Sequence, residues 1–414
     1  MIKAPGAQGW RLFRLAGIPI HIHPSWFVVL ALASLLFQQQ FDGNLFAGFG
    51  TSLLLFISVL LHEMGHSLVA LRLGVKVNSI TLFMLGGVAS VERDPPTPMG
   101  SLAVAAAGPL VSLLLALILF SAIQPASQGM PLLGEMAKEL AQLNLVLALF
   151  NLLPGLPLDG GQIVKSLVWQ FSGSREKGVR IATFSGQMLA WGAIFSGGYL
   201  FFNGGSFASI WLVLLGWFGL GASSQQLQLL ALQRALQQLQ VKDAAGRRLR
   251  VLQPSDTLRQ LSELRLASDS PRPDWVLLCE AGRWQGFIDD GPLKEIPVQN
   301  WDRERLGEHQ RPLTELASII ESAPLWQAVL ALESSSQGRL LVLSLAGLPM
   351  ATLERSDLSE AVLRRLSLRL PQQLLEQARR EGGYPLGLSL APIAESVAAL
   401  PEVRAASGQG SSKG

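Results

Sequence analysis

Ser58-Val59-Leu60-Leu61-His62-Glu63-Met64-Gly65-His66-Ser67-Leu68-Val69-Ala70-Leu71-Arg72-Leu73 holds two histidines four residues apart, with an acid beside the first, in an otherwise apolar run. On a helix, positions four apart project from one face. Both imidazoles can therefore ligate one metal ion, while Glu63, one step round, faces the water that such an ion would activate. That is hydrolytic chemistry. The enclosing run, Phe49 to Leu71, is long and apolar enough to cross a bilayer. Most histidines on apolar faces are core residues with satisfied nitrogens, but inside lipid His and Glu are costly and mark function.

The 414 residues are 49% hydrophobic and 15% charged, unevenly distributed. Residues 1–222 are apolar with sparse charge, and the remainder is rich in Arg, Glu, Gln and Ser. The division predicts a membrane domain followed by a soluble one. A net charge of +3 without a basic run argues against nucleic acid as a partner. The single cysteine, Cys279, excludes an internal disulfide and, on its own, a cysteine-based metal cluster, and fits a reducing compartment for the soluble half.

Lys3, Arg11 and Arg14 precede the first apolar run, Trp26–Phe37, which reads as a retained anchor with a cytoplasmic N-terminus. His21-Ile22-His23-Pro24 suggests a short strand at the interface. The second span then ends at Arg72 and Lys76, which places His66 roughly 10 Å before a cytoplasmic end. Val75 to Glu92 forms two β-prone runs about Gly86-Gly87 and is expected to be a membrane-associated β-hairpin. Such backbone must be enclosed by protein or line a cavity, and beside the histidines it is either a simple connection or an edge offered to substrate. A third span is expected over Leu102–Ile123, with Ala105-Ala106-Ala107-Gly108-Pro109 as a packing face and Gln124–Glu139 as an external loop.

The fourth apolar stretch, Leu140–Phe171, is broken by Pro154, Gly155, Pro157, Gly160 and Gly161, and it carries a lone carboxylate, Asp159. A carboxylate at that depth needs a partner, and a metal held by His62 and His66 supplies one. Met188–Phe202 and Ile210–Leu220 read as a helical hairpin, giving about six spans in an α-helical polytopic membrane domain over 1–222. A Gln- and Leu-rich helical linker follows over 223–241. Residues 242–366 show strand and helix signals in two similar passes at about seventy-residue spacing, an α/β repeat. Residues 367–414 form a tail, expected to be disordered from Ala405 to Gly414.

Zinc in a catalytic site takes three protein ligands and leaves a position for water; His62, His66 and Asp159 supply three. Glu63 is then the general base. Asn151, eight residues before Asp159, is placed to donate a hydrogen bond to substrate backbone or to the developing oxyanion, or is a packing amide.

His62-Glu63-Met64-Gly65-His66, Gly86-Gly87, Gly108-Pro109 and Asn151 through Pro157-Leu158-Asp159-Gly160-Gly161 together resemble the site-2 protease family of intramembrane zinc metalloproteases, over about residues 8–222. Gly17-Ile18-Pro19-Ile20-His21-Ile22-His23-Pro24 resembles the bacterial branch with sporulation-type and mycobacterial members, and residues 242–366 look like the tandem CBS pair of its cytoplasmic tail. The resemblance implies a multi-pass cell-membrane protease cutting single-span membrane proteins, often anti-sigma factors or pro-transcription factors, frequently after a first cut by another protease. The CBS pair implies regulation and a surface for a homodimer. Asp289 and Pro292 in the first repeat, and Glu354 before Asp357 in the second, depart from the nucleotide-binding pattern and speak against adenine nucleotide. Two rivals are a metal ion transporter or channel with a CBS tail, which leaves Glu63 unexplained, and a non-catalytic scaffold.

Overall fold

In chain order the elements are strands β1 (Trp10–Leu15) and β2 (Ile18–Ile22), helices α1 (Ser25–Phe37) and α2 (Leu45–Arg72), strands β3 (Val77–Phe83) and β4 (Gly86–Val91), and helices α3 (Pro98–Gly129), α4 (Pro131–Asn151), α5 (Asp159–Ser172), α6 (Arg175–Phe202) and α7 (Ala208–Gln238). The computed structural model describes residues 9–84, 86–91, 94–204, 208–267, 272–368, 370–387, 389–400 and 403. The chain divides into two compact units, residues 1–228 and 229–414.

Among the described residues, two helices of the first unit are long and apolar enough to cross a membrane, α2 with 28 residues and α3 with 32. Asn44 Oδ1 accepts from Ala47 N–H to open α2, and Thr97 does the same for Gly100 ahead of α3. Both helices are inside out relative to a soluble bundle. Apart from Phe56 and Met64 on α2, their buried positions are small or polar: Ala47, Gly48, Ser52, Ser58, His62 and Gly65 on α2, and Gly100, Ser101, Ala105, Gly108, Ser112 and Ala116 on α3. Their large apolar side chains face outward, as Phe46, Leu110 and Leu114 do, and Phe195 and Trp217 repeat the pattern on α6 and α7. Lipid gives no hydrophobic drive between helices, so close backbone approach through small residues holds such a bundle together. At Gly65 a Cβ would lie 2.9 Å from the Ala107 carbonyl, and at Gly48 it would collide with Ser34 of α1.

Several expectations are corrected. The first apolar run forms an α-helix of only 13 residues followed by a 3₁₀ turn, Gln38–Phe41. The α-helical part alone reaches about 20 Å, and the 3₁₀ turn carries the apolar segment on to Phe41. Gln124–Glu139 is not a loop. α3 continues to Gly129 and α4 starts at Pro131, with Met130 as the only break, because Pro131 at the first helical position costs α4 no hydrogen bond. Gly86-Gly87 does not form the hairpin turn but opens β4. β1, which no reading of the sequence anticipated, pairs antiparallel with β2, and β2 pairs parallel with β3, giving a four-stranded sheet in the order β1-β2-β3-β4. The expectations for Lys3 and for Ala405–Gly414 lie outside the described residues.

The broken stretch appears as expected: α4 stops at Asn151 and α5 starts at Asp159. Its free backbone groups are met by neighbouring helices, as Leu156 N–H donates to Ala182 O and Ser223 Oγ donates to Leu156 O.

In the second unit, β5 (Leu249–Leu252), helix α8 (Leu258–Leu266), β6 (Trp275–Glu280) and β7 (Arg283–Ile288) are repeated as β8 (Ser318–Ile320), helix α9 (Leu325–Ser334), β9 (Arg339–Leu343) and β10 (Pro349–Glu354). Each copy is a three-stranded sheet with one parallel and one antiparallel pairing. Leu277, Phe287, Leu316 and Leu341 form a core shared by the copies. The helix Ala391–Ala398 also belongs to the folded unit, since Leu390 and Ala394 pack into the core built on Leu325, Leu353 and Leu358. Arg248 pairs with Asp357 through two bonds of 2.8 and 2.6 Å and with Glu354 at 3.1 Å. Arg339 holds the other side of Glu354. Burial, against the pull of Arg248, holds the Asp357 carboxyl above its ordinary value.

Between β4 and α3, Asp94 binds Arg175 at 2.5 Å and the buried Lys165 at 3.6 Å. Crowding by neighbouring atoms pushes Asp94 upward, but Lys165 and Arg175 outweigh it and hold it at about 2, even though its side chain is 49% exposed. A depressed carboxylate adds stability in full above its unfolded value of about 4 and loses it as pH falls toward 2. Asp94→Asn leaves Lys165 beside only a like charge. Breaking a buried pair costs about 3–5 kcal/mol, and solvent at Asp94 reduces this to about 1–3 kcal/mol. Thermal unfolding at neutral pH should show a lowered midpoint, with the difference from wild type unchanged between pH 6 and 8.

Candidate active site

His62 and His66 leave one face of α2 one turn apart, with ring centroids 4.9 Å from each other. Asp159 reaches them from the first turn of α5, where the helix dipole favours a carboxylate. Its position depends on the two glycines that follow it. A Cβ at Gly160 would strike the carbonyls of Leu152 and Leu153, and one at Gly161 would strike Gly155. Only with hydrogen at both positions can α5 fold back against the end of α4 and bring Asp159 inward.

The three ligand-type atoms form a nearly equilateral triangle. His62 Nε2 lies 3.1 Å and His66 Nε2 3.3 Å from Asp159 Oδ2, and the two Nε2 atoms are 3.3 Å apart. A tetrahedral zinc ion with bonds of about 2.0–2.1 Å sets its ligand atoms about 3.3 Å from one another, so the donor set and its spacing fit zinc. The remaining ring nitrogens are engaged by α3: His62 Nδ1 lies 2.9 Å from Ser112 Oγ, and His66 Nδ1 lies 2.7 Å from the Val104 carbonyl. Gly108, on the same helix, covers both rings. A Cβ there would overlap His66 Nε2 and lie 2.7 Å from His62 Nε2.

Glu63 points to the sheet. Its carboxylate accepts a hydrogen bond from Ala89 N–H of β4, and its Cγ lies where a Cβ at Gly87 would fall, 2.6 Å away. β4 is an edge strand, so the acid stands beside unpaired backbone.

Of the five residues expected at the site, the structure brings His62, His66 and Asp159 together and sets Glu63 on the same helix, between the histidines and β4. Asn151 ends α4, and its Nδ2 donates to Leu147 O of its own helix at 3.1 Å, the arrangement of a packing amide. Ser112, the Val104 carbonyl and the space at Gly108 escaped the sequence reading, which gave Gly108 only a packing role. Their spacing of four residues along α3 was the available signal.

Two imidazoles and a carboxylate converging among helices with apolar outer surfaces are a donor set suited to a metal ion. Residues 50–141 and 132–193 match the model of peptidase family M50. A Synechocystis protein that carries the name of a zinc metalloprotease, sll0528, is 33% identical over 359 residues, covering 84% of this chain and 94% of that one. Rip3 of Mycobacterium tuberculosis, also named for a zinc metalloprotease, is 33% identical over 245 residues, 56% of this chain and 62% of its own. The solved site-2 protease of Methanocaldococcus jannaschii is 34% identical, with a TM-score of 0.39, over 53% of this chain and 94% of that one. The chain belongs to peptidase family M50, the site-2 protease family.

Gly108→Ala should empty the site without unfolding it. Alanine raises helix propensity by about 1 kcal/mol, so α3 should persist, while the methyl group occupies the space against both Nε2 atoms. Metal analysis of the purified variant should show zinc well below one equivalent, with the helical circular dichroism of the wild type.

Proposed function

We propose that this chain is a zinc-dependent intramembrane endopeptidase that cuts peptide bonds in or near membrane-spanning helices of other proteins. The observation that carries this reading is the triangle of His62 Nε2, His66 Nε2 and Asp159 Oδ2, closed by two helices whose outer surfaces are apolar. His62, His66 and Asp159 hold the zinc ion. Zinc bound there supplies Lewis acidity to the scissile carbonyl and acidity to a water molecule. Glu63 takes the proton of the attacking water and returns it to the leaving amine. Asn151 is the candidate for substrate or oxyanion contact, and that role requires its amide to exchange the Leu147 carbonyl for substrate.

A transmembrane helix hides its peptide bonds in i to i−4 hydrogen bonds and must unwind before water can attack. The free edge of β4 is the surface on which an unwound segment is held, extended, beside Glu63. The substrates are single-span membrane proteins; by resemblance these are anti-sigma factors or pro-transcription factors.

The reading includes about six crossings formed by α1 to α7, with the N-terminus and the second unit in the cytoplasm. The parallel pairing of β2 with β3 supports one part of this, because it holds the chain entering α1 and the chain leaving α2 in one sheet, on one side. Residues 1–222 are the protease domain and 223–241 the helical linker, within which α7 runs on unbroken to Gln238. Residues 242–366 are a tandem CBS-like regulatory pair, supported by the repeated strand-helix-strand-strand order, and a second copy is its candidate partner.

Glu63→Gln is expected to keep zinc and lose cleavage by about 10²–10⁴-fold, since it removes the base and none of the ligands. Substrate co-expression with metal analysis checks both halves, and retained cleavage would reject the role. Substrates with helix-breaking residues near the cut should be cleaved faster than a polyleucine span.

Arg248 and Arg339 together already neutralise Glu354 and Asp357, so ATP should find no cationic cradle there. A ligand at one hundred times its Kd adds about 2.7 kcal/mol to stability. Millimolar ATP should therefore leave the unfolding temperature of the full chain unchanged, and a rise of several degrees would overturn this expectation.

A further inference from the structure

Val104, Gly108 and Ser112 lie four residues apart, so they share one face of α3, and that face meets the two imidazoles of α2 at successive turns. The first presents a carbonyl to His66 Nδ1 at 2.7 Å, the second a bare Cα to both rings, and the third a hydroxyl to His62 Nδ1 at 2.9 Å. A carbonyl can only accept, so His66 Nδ1 carries the proton and His66 Nε2 keeps its lone pair toward Asp159. Ser112 is fully buried, and His62 Nδ1 is the side-chain partner its hydroxyl meets across 50 residues of sequence.

From this geometry we infer that α3 is the orienting rail of the metal centre and that Ser112 is a positioning residue for zinc, fixing the His62 ring with Nδ1–H donating to Oγ and Nε2 toward the ion. The inference rests on the reading of His62, His66 and Asp159 as the zinc ligands. Ser112 touches neither substrate nor the reacting atoms; it acts through His62. Without the hydroxyl, His62 Nδ1–H would be buried without an acceptor, or the ring would adopt the tautomer that protonates Nε2 and withdraws it as a ligand.

The test uses the full chain in detergent, with zinc affinity measured by competition with a chromophoric chelator and unfolding followed separately in the metal-free form. Ser112→Ala is expected to bind zinc about 10–100-fold more weakly, the loss seen when a partner of a metal-bound histidine is removed. Its metal-free unfolding should match the wild type. Ser112→Thr, which keeps the hydroxyl, should bind zinc within about threefold of wild type. The inference fails if Ser112→Ala binds zinc as tightly as wild type while His62→Ala does not. It also fails if Ala and Thr lose affinity alike, or if affinity falls only in step with metal-free stability, because the site would then need packing at 112 and not a hydroxyl. If His62→Ala or Asp159→Asn binds zinc as tightly as wild type, the ligand assignment itself falls, and the inference with it.

Discussion

An ionised carboxylate inside an apolar bundle is tolerated only against a compensating charge or a set of hydrogen bonds, and Asp159 meets its side-chain partners in His62 and His66. Everything around it brings it to the two histidines of α2. α4 ends before it, the glycines after it let α5 fold back, and Gly155 lies close against Gly186 of α6, leaving no room for a side chain at either position. The same compensation runs in the other direction. Two imidazoles whose Nε2 atoms lie 3.3 Å apart gain from a cation between them, and Asp159 supplies the negative charge that favours one.

The need for close approach explains the residue choice of the membrane unit better than hydrophobicity does. Leucine and phenylalanine cover the outside, where lipid is indifferent to their exact shape, while glycine, alanine and serine line the interior, where a single methyl group decides whether two helices meet. Gly65 and Gly108 show the two uses of that economy of volume: the first sets the distance between α2 and α3, and the second leaves space for the rings that this distance brings near. Glu63 shares α2 with the two histidines but faces the sheet, so one helix presents its imidazoles and its carboxylate to two different neighbours.

The second unit rests on different physics. Its cores are closed by leucine and valine, and its charged cluster is internal. Arg248, ahead of the first repeat, reaches Glu354 and Asp357 at the end of the second and binds the two halves by salt bridges. Buried pairs of this kind contribute little net stability but cost several kcal/mol when one partner is lost, so they enforce which halves pair. Asp289, far along the first repeat, is likewise held by Arg311 and by the backbone of Gly291.

The local pattern of the sequence determined a good deal by itself. The spacing of His62 and His66 on a helix, the apolar length of α2, the break between Asn151 and Asp159, the hairpin after α2 and the repeated order of the second half all depend on neighbours within a few residues, and local propensity carries that information. Helix ends carry less: Pro125 and Pro131 were as compatible with a loop as with one helix running into another, and contact between α3 and α4 decided for helix. β1 was invisible because its strand exists only by pairing with β2, and its six residues are exposed. The partners of the imidazoles were hidden for a related reason. A backbone carbonyl such as that of Val104 has no letter of its own, Ser112 resembles any other small residue in a membrane helix, and Gly108 looks like a packing glycine until the rings are seen against it. Those roles arise only where α3 crosses α2, because hydrogen bonding and steric exclusion depend on distances of a few tenths of an ångström, and tertiary packing alone sets distances of that kind between residues some forty to fifty positions apart.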